Sequence, residues 1–388
     1  MKFAPPKTRY GRADRSELGR WFWEVDKVLL LMLAALIGIG LIAVAAASPA
    51  AAERYSGGDV RIPELYFFTR QLMWLAVSIP IMLIVSMMSR EKAKRWSLIG
   101  AGILFVALAL VPFIGSETNG AQRWLDLGIS RFQPSEFLKA FYIVAIAWIF
   151  SLKKVPGALI TGAWLLMICV LLMMQPDFGT TVLFAAVWVA LFALSGANVR
   201  VLGGLAVLGV VGIIAAYFFY DVATARIDAF LFGEGDDFQT RNAMATLTAG
   251  GLFGLGPGAG TRKFTLPEPQ TDYIFSVIGE EFGLIACLII AVLYLAIVAR
   301  VLIKLLDEDD RFTILAASGL VIMFGLQAFI NMAVNVQIAP SKGMTLPFIS
   351  YGGSSMIALS IMMGLLLAFT RANPYLNRSP YVVKWSAT

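Results

Sequence analysis

The chain alternates between long apolar runs and short polar segments over nearly its whole length. Each run is close to the ~20 residues that a helix needs to cross ~30 Å of hydrocarbon. The pattern therefore predicts an all-α polytopic membrane protein with about ten transmembrane helices. The predicted spans are 28–48, 67–88, 96–114, 137–152, 156–174, 178–196, 201–220, 274–305, 312–337 and 346–370.

The basic residues predict the orientation of these spans. If the N-terminal tail lies in the cytoplasm, most of the 31 lysines and arginines fall in inner segments, as the positive-inside rule requires. Both termini are then cytoplasmic, which agrees with an even number of spans. The predicted parts are a cytoplasmic tail over 1–27, a transmembrane domain over 28–372 and a cytoplasmic tail over 373–388. The first run is longer than a signal-peptide core, so we expect an uncleaved anchor.

The same alternation places a long loop, 221–273, on the outer face between the seventh and eighth spans, together with the polar segments 115–136, 175–177 and 338–345. A long polar segment between membrane helices is usually functional, so we expect any chemistry to face outward. The hydrophobic content of 59% and mean hydropathy of +0.78 agree with a membrane protein. The net charge of +6 is explained by topology and does not indicate nucleic acid.

Several function classes are disfavoured by what the sequence lacks. It contains no histidine, so carboxylates are the leading candidates for acid–base chemistry. No phosphate-loop motif is present, which disfavours nucleotide hydrolysis, and no internal repeat supports an inverted-repeat transporter. The two cysteines, Cys169 and Cys287, lie within apolar runs and are predicted to be unpaired core residues.

The first motif, "GAQRWLDLGISRFQPSEFLK", brings Arg123, Arg131, Glu136 and Lys139 to the outer mouth of the fourth span. Glu136 and Lys139 are three residues apart and therefore share a helix face. One interpretation is a capped helix whose Lys139 extends outward. The other, which we favour because several basic groups converge on the outer face, is a cationic floor for an anionic headgroup.

Two further motifs carry carboxylates. In "QPDFGT", Asp177 is well placed to cap the sixth span. In "LPEPQTDYIFSVIGEEFG", Thr271 or Asp272 could cap the eighth span. Glu280 and Glu281 follow about two turns deeper and are predicted to be structural partners of basic groups on neighbouring helices. The preceding run "GGLFGLGPGAGTRK" could either approach a phosphate or form a flexible link. Positive charge that would attract a diphosphate is added to this predicted outer loop by Arg226, Arg241, Arg262 and Lys263.

The last motif, "APSKGMTLPFISYGGSS", is broken by prolines and glycines. Pro340, Lys342 and Gly343 are predicted to form a re-entry turn, and Pro347 interrupts the start of the tenth span. The pair Gly352–Gly353 is predicted to break that span. Irregular backbone at membrane depth is tolerated only beside protein or a cavity, so we expect a groove here.

These motifs, in this order and spacing, resemble those of the SEDS family of bacterial cell-wall polymerases, whose members include FtsW and RodA. The resemblance covers about 28–372, and "PSKGMTLPFISYGGSS" with the long tail is closer to FtsW. It implies a peptidoglycan glycosyltransferase that polymerises lipid II at the outer face of the inner membrane during division. It places the catalytic aspartate on Asp272. The polar positions of the first loop that it implies for the substrate are Arg123, Trp124, Arg131, Gln133, Glu136 and Lys139.

The implied reaction inverts the anomeric centre and needs one base together with charge stabilisation of the leaving diphosphate. Asp272 would be the base, and Arg123, Arg131, Lys139 and Lys342 would neutralise the diphosphate. No organic cofactor is expected, although a divalent cation, Mg²⁺ or Mn²⁺, could share that work. Expected partners are a class B penicillin-binding protein, the transpeptidase, and other division proteins at the septum.

Three alternatives remain open from the sequence. A lipid II flippase would use the same cations but need no base. A structural division scaffold would bind the transpeptidase without chemistry. A RodA-like polymerase would perform the same reaction in elongation rather than division.

Overall fold

The computed structural model describes residues 16–57, 61–118, 121–126, 128, 131–152, 155–232, 238–340 and 343–371. This part of the chain is mostly helical, with one 3₁₀ turn at Arg262–Thr265. The α-helices within it are α1 Glu17–Glu24, α2 Lys27–Tyr55, α3 Tyr66–Ser86, α4 Arg90–Ile114, α5 Pro134–Ser151, α6 Gly157–Met174, α7 Phe178–Leu194, α8 Val199–Phe219, α9 Asp221–Leu231, α10 Phe238–Ala249, α11 Ile274–Leu305, α12 Arg311–Asn335 and α13 Gly353–Phe369.

The predicted all-α membrane architecture is confirmed. Among the described residues, eight helices are long and apolar enough to cross a membrane, and α7 and α13 are apolar helices of 17 residues. These ten helices correspond one to one with the ten predicted spans. Helices α9 and α10 account for much of the described part of the predicted outer loop 221–273. Cys169 and Cys287 are both free, as predicted.

Helices α5, α12 and α13 form the centre of the bundle, because they bury most of their side chains. Helix α3 packs against α13, α4 packs against α5, and α11 packs against α12 and α2. The helices at the periphery of the bundle expose apolar side chains instead, and α8 has no buried residue. Such surfaces suit hydrocarbon, since apolar groups facing lipid carry no penalty.

Helix α11 is interrupted at Gly283, whose φ of 82° and ψ of 174° are not helical. The glycine-rich segment 250–256 occupies the interruption. Leu255 and Gly256 donate backbone N–H groups to the carbonyls of Glu280 and Glu281 at 2.9 and 3.0 Å, and Leu284 donates to the carbonyl of Gly251 at 3.0 Å. The two interpretations left open for this run both give way to a third: it supplies the backbone partners that the broken helix lacks.

The tenth span begins later than predicted. Residues 343–352 are not helical, and α13 starts at Gly353, so the Gly352–Gly353 pair begins the helix rather than breaking it. The polar backbone of this re-entrant segment, 343–352, is satisfied by protein: Tyr351 N–H donates to the Gln270 carbonyl at 2.8 Å, and Leu346 N–H donates to Ser350 Oγ at 2.7 Å. Irregular backbone within a membrane is tolerated only where other groups satisfy its hydrogen bonds, and protein groups do so here.

The first outer segment contains a small sheet that the sequence did not reveal. Strands β1 Ser116–Thr118, β2 Ala121–Asp126 and β3 Arg131–Phe132 pair antiparallel in the order β1-β2-β3. Ser116 lies opposite Trp124, and Leu125 lies opposite Phe132. The strands are only two to six residues long, too short for a clear period-two signal. Their pairing holds Arg123 and Arg131, the basic residues of this segment, near the start of α5.

Candidate active site

A cavity of about 930 Å³ lies at the end of the bundle where the long segment 221–273 is found. Its walls come mainly from α3, the small sheet, the start of α5, the residues just before α11, the re-entrant segment and the start of α13. Single residues of α2, α7, α9, α10 and α12 complete them. The predicted groove beside the re-entrant segment is therefore present. The predicted site residues that line the cavity together are Arg123, Trp124, Arg131, Gln133, Glu136, Lys139 and Asp272.

Asp272 lies two residues before the first residue of α11 and is half-buried in the cavity wall. Its predicted capping role is wrong, because Tyr273 occupies the N-cap position and no side chain of the adjoining residues caps the helix there. The Thr271 hydroxyl bonds to Glu268 instead. Among the described residues, nothing donates a hydrogen bond to the Asp272 carboxylate or forms an ion pair with it. Asp272 itself lines the cavity.

The electrostatic surroundings of Asp272 set its affinity for a proton. Burial, and after it the negative charge of Glu268, raise the pKa of Asp272 to about 7, against the opposing effect of the guanidinium groups of Arg123 and Arg226. Desolvation and a like charge both disfavour the ionised carboxylate, whereas nearby cations favour it. A carboxyl with a pKa near neutrality suits a general base, because it can be ionised and still bind a proton.

Arg123 is anchored by the turn between α6 and α7. Its Nε donates to the carbonyl of Gln175 at 3.1 Å, and Nη2 donates to the carbonyl of Pro176. A guanidinium has five N–H donors, so donors remain for an anion. Asp177, in the same turn, caps α7 by accepting from Thr180 N–H at 3.2 Å, which confirms the predicted cap.

Lys139 lies deepest among the cavity's basic residues that were predicted from sequence, with 4% of its surface exposed. Its Nζ donates to Glu136 Oε1 at 2.7 Å and to Gln327 Oε1 at 2.9 Å. The predicted pairing of Glu136 with Lys139 on one helix face is confirmed. The second Glu136 oxygen, Oε2, is buried without a hydrogen-bond partner in the described structure. Lys139 does not extend outward past the helix end; it lines the cavity.

Glu280 and Glu281 are fully buried and do not line this cavity. Glu280 accepts three backbone N–H groups, from Thr261, Arg262 and Lys263, at 2.7 to 2.9 Å. Glu281 accepts the Lys263 ammonium. The basic partner therefore comes from the outer segment rather than from a neighbouring helix. Both carboxylates hold that segment against the interruption of α11.

Two cavity residues, Arg70 and Glu268, were missed by the sequence reasoning, and Arg226, predicted only as general positive charge on the outer face, also lines the cavity. Arg70, in the second turn of apolar α3, is the single charged residue of that helix, and its Cζ lies 4.9 Å from the ring centroid of Tyr66. A lone charge in a membrane helix usually indicates function, so this residue could have been identified from the sequence. Glu268 accepts from Gln270 Nε2 at 2.9 Å and from the Tyr55 hydroxyl. The contact with Tyr55 joins distant parts of the chain, so no local pattern could have revealed it.

Two predicted elements of the site lack support from the described residues. Lys342 lies outside them, so its position is not described. No cluster of three or more aspartate, glutamate or cysteine side chains able to hold a metal ion occurs in the part of the chain that the structure describes. The protein groups there do not form a ready-made metal site, and we derive no catalytic step from a metal.

The chain can be compared with known proteins. The sequence profile of a family described as "Cell cycle protein", covering FtsW, RodA and SpoVE, matches residues 27–375. A protein of Caulobacter vibrioides named "Probable peptidoglycan glycosyltransferase FtsW" is 40% identical over 371 residues, 94% of each chain. A protein of the same name from Aromatoleum aromaticum is 34% identical over 365 residues, which cover 89% of this chain and 87% of that one.

Solved structures share the fold. A chain of a peptidoglycan synthase complex, described as coordinating polymerization and crosslinking, superposes with a TM-score of 0.74 at 26% identity, covering 89% of this chain and 97% of that one. The rod shape determining protein RodA of Thermus thermophilus superposes with a TM-score of 0.66 at 26% identity, covering 89% and 96%.

Proposed function

We infer the activity of this protein from the premise that the chain belongs to the cell cycle protein family of FtsW, RodA and SpoVE. The protein is a peptidoglycan glycosyltransferase, and its substrate is lipid II, a disaccharide-pentapeptide on a lipid diphosphate. Relatives at 40% and 34% identity bear the name of that activity. The observation that carries the proposal is the carboxylate of Asp272, to which no described residue donates a hydrogen bond, in a cavity that Arg123, Arg131 and Lys139 also line.

In the proposed reaction, Asp272 is the general base. Its carboxylate takes the proton of the acceptor hydroxyl, the hydroxyl oxygen attacks the anomeric carbon of the donor sugar, and the bond from that carbon to the diphosphate breaks. The diphosphate leaves with the electron pair of that bond. Attack opposite the leaving group inverts the anomeric centre, and a single base suffices for such a displacement.

The leaving diphosphate needs positive charge at the opposite side of the reacting carbon. We assign this work to Arg123, Arg131 and Lys139, which line the same cavity. Fixed cations in a site that excludes water stabilise developing charge more strongly than they would in bulk solvent. Trp124, Gln133 and Glu136 line the cavity beside them and are assigned to substrate binding and to the orientation of Lys139.

A divalent cation remains a proposal for the loaded enzyme. Two diphosphate-bearing substrates would themselves supply oxygen ligands of the kind that Mg²⁺ prefers. Titration of EDTA against Mg²⁺ and Mn²⁺ during polymerisation tests this directly. An unchanged rate in excess EDTA, with tightly bound metal excluded by elemental analysis, would remove the cation from the account.

The proposed setting is the division septum, with a class B penicillin-binding protein as transpeptidase partner. The relatives' FtsW names support division, and the matching chain from a complex that coordinates polymerization with crosslinking supports a transpeptidase partner. We keep the proposed topology of two cytoplasmic termini, with the cavity facing outward. The proposed domain bounds are likewise a transmembrane domain over 28–372 between two tails.

The direct test uses purified protein in detergent with lipid II and the cognate transpeptidase. Polymerised glycan should form, since no bilayer has to be crossed, and a flippase would make none. Asp272→Asn should abolish the product, whereas Asp309→Asn, at an exposed aspartate between α11 and α12, should retain it. Glycan synthesis at the wild-type rate by the Asp272→Asn variant would contradict the proposed role of this carboxylate.

A further inference from the structure

Helix α12 carries three amide side chains four residues apart, Gln327, Asn331 and Asn335. This spacing puts them on one face of the helix. All three are buried, with 1%, 2% and 0% of their surface exposed. Burying an amide without partners costs free energy, so each one calls for hydrogen bonds that repay its desolvation.

The partners of the two asparagines converge on Asp272. Asn331 Nδ2 and Asn335 Nδ2 each donate to the backbone carbonyl oxygen of Asp272, both at 3.0 Å. A carbonyl oxygen has two lone pairs, so this pair of donors saturates it. Because the bonds reach the backbone, they constrain the position of Asp272 and leave its carboxylate available for chemistry.

The same asparagines fix the two elements on either side of Asp272. Asn335 Oδ1 accepts from Ser276 N–H at 3.2 Å and from Ser276 Oγ at 2.7 Å, which caps α11 where no adjoining side chain does. Asn331 Nδ2 also donates to the Met344 carbonyl at 2.6 Å. The neighbouring Gly343 packs closely enough that a Cβ there would lie 3.4 Å from Asp272 Oδ2.

Gln327 extends this arrangement toward the basic wall. Its Oε1 accepts from Lys139 Nζ at 2.9 Å, and its Nε2 donates to the Thr345 carbonyl at 3.2 Å. One helix face therefore contacts the proposed base at one end and a proposed diphosphate-binding cation at the other. The re-entrant segment lies along the face between them.

We propose that Asn331 and Asn335 are positioning residues for the transfer reaction, holding Asp272 at a fixed place relative to the re-entrant segment and Lys139. This inference rests on the proposed function, in which Asp272 is the base. The asparagines do not touch the reacting atoms. They act through the backbone of Asp272, and a displacement of about 1 Å in a reacting group can lower a rate about 100-fold.

The test compares Asn331→Leu and Asn335→Leu, which keep similar volume but remove the amide, with Ser318→Ala at a buried serine of the same helix away from the cavity. Rates of lipid II polymerisation, KM and the thermal melting temperature are measured in detergent beside wild type and Asp272→Asn. We expect each leucine variant to lose about 10- to 100-fold in kcat. KM should stay close to that of the Ser318→Ala variant. The melting temperature should fall, because buried polar groups lose their partners, but kcat should fall by more than the loss of folded protein explains.

Asn335→Ser guards against a leucine variant that fails to fold, since its hydroxyl can still donate one hydrogen bond. Its kcat should fall between those of wild type and Asn335→Leu. If both leucine variants keep kcat within about twofold while Asp272→Asn is inactive, the positioning role is wrong and the proposed function stands. Activity that falls only in step with melting temperature, without recovery in Asn335→Ser, also overturns the positioning role. An active Asp272→Asn variant removes the proposed function itself.

Discussion

Asp272 and Glu268 are two carboxylates in one cavity with different surroundings. Glu268 accepts hydrogen bonds from Tyr55, Gln270 and Thr271, whereas the Asp272 carboxylate accepts none from the described residues. Environments that differ in this way let neighbouring carboxylates perform different roles. Asp272 is therefore the group that can exchange a proton with a substrate, and Glu268 contributes charge.

The pH dependence of polymerisation follows from the pKa of Asp272, raised to about 7 by burial and by Glu268. A base works only when ionised, so kcat/KM should fall about tenfold per pH unit below that value and level off above it. Rate measurements from pH 5.5 to 8.5 on the wild-type protein check this. A flat profile across that range would exclude a base with this pKa.

The acid limb of this profile is the pH range in which kcat/KM falls. Two single substitutions should move it in opposite directions. Glu268→Gln removes a negative charge, so the pKa of Asp272 should fall and the limb should move to lower pH. Arg226→Ala removes a positive charge, so the limb should move to higher pH. The exposed Asp309→Asn variant serves as the control and should leave the limb in place. Shifts of the same sign in both cavity variants would contradict the electrostatic account.

At the scale of elements, the long outer segment and α11 stabilise each other. The segment 250–256 completes the hydrogen bonding of the interrupted helix, and Glu280 and Glu281 bind the segment that follows. The chain continues from Lys263 to Asp272, so these contacts also help to position the residues that lead into the cavity. Close approach explains the glycines, because a Cβ at Gly254 would overlap the carbonyl of Glu281.

Gly254→Ala and Gly258→Ala separate this overlap from backbone strain. The two glycines have nearly equal φ values, 82° and 81°, but a Cβ at Gly258 meets nothing within 4 Å. Both variants should lose about 1 kcal/mol or more to strain, and Gly254→Ala should lose more because its neighbours must move. Thermal unfolding in detergent measures the difference. Equal losses would mean that segment 250–256 does not pack tightly on α11.

The sequence predicted the elements whose signals are local. Spans were visible from length and hydrophobicity, the Asp177 cap from its turn, and the Glu136–Lys139 pair from helical spacing. The start of α13 was predicted too early, because residues 346–352 are apolar yet form an irregular, protein-covered segment. The bonds from Asn331 and Asn335 to Asp272 span about sixty positions, and apolar periodicity carries no information about such pairs.

At the scale of the whole molecule, the site lies where the first outer segment, the long outer segment and the re-entrant segment meet. Helices distant in sequence bring its charges together, so no single motif forms the site alone. The bundle buries the amides and carboxylates that fix this meeting point, while its outer helices present apolar surface. A rigid membrane scaffold with a polar end is suited to chemistry on a lipid-linked substrate.

The proposed role in division makes a prediction in living cells. A fluorescent fusion of the protein should concentrate at the septum and remain there in the Asp272→Asn variant, since that change leaves the fold intact. Cells that depend on the variant should fail to divide and should form filaments. Uniform labelling of the side wall, with loss of rod shape instead of filaments, would favour an elongation role.

The proposed base, Asp272, performs chemistry and is not needed for binding, so a single variant should separate the two functions. Lipid II binding and glycan synthesis are measured on the same detergent preparation of wild type and Asp272→Asn. We expect a Kd within about threefold of wild type, since uncharging one carboxylate removes no cation, together with no detectable glycan. Glycan synthesis at the wild-type rate, or loss of binding sufficient to explain the loss of glycan, would contradict this expectation.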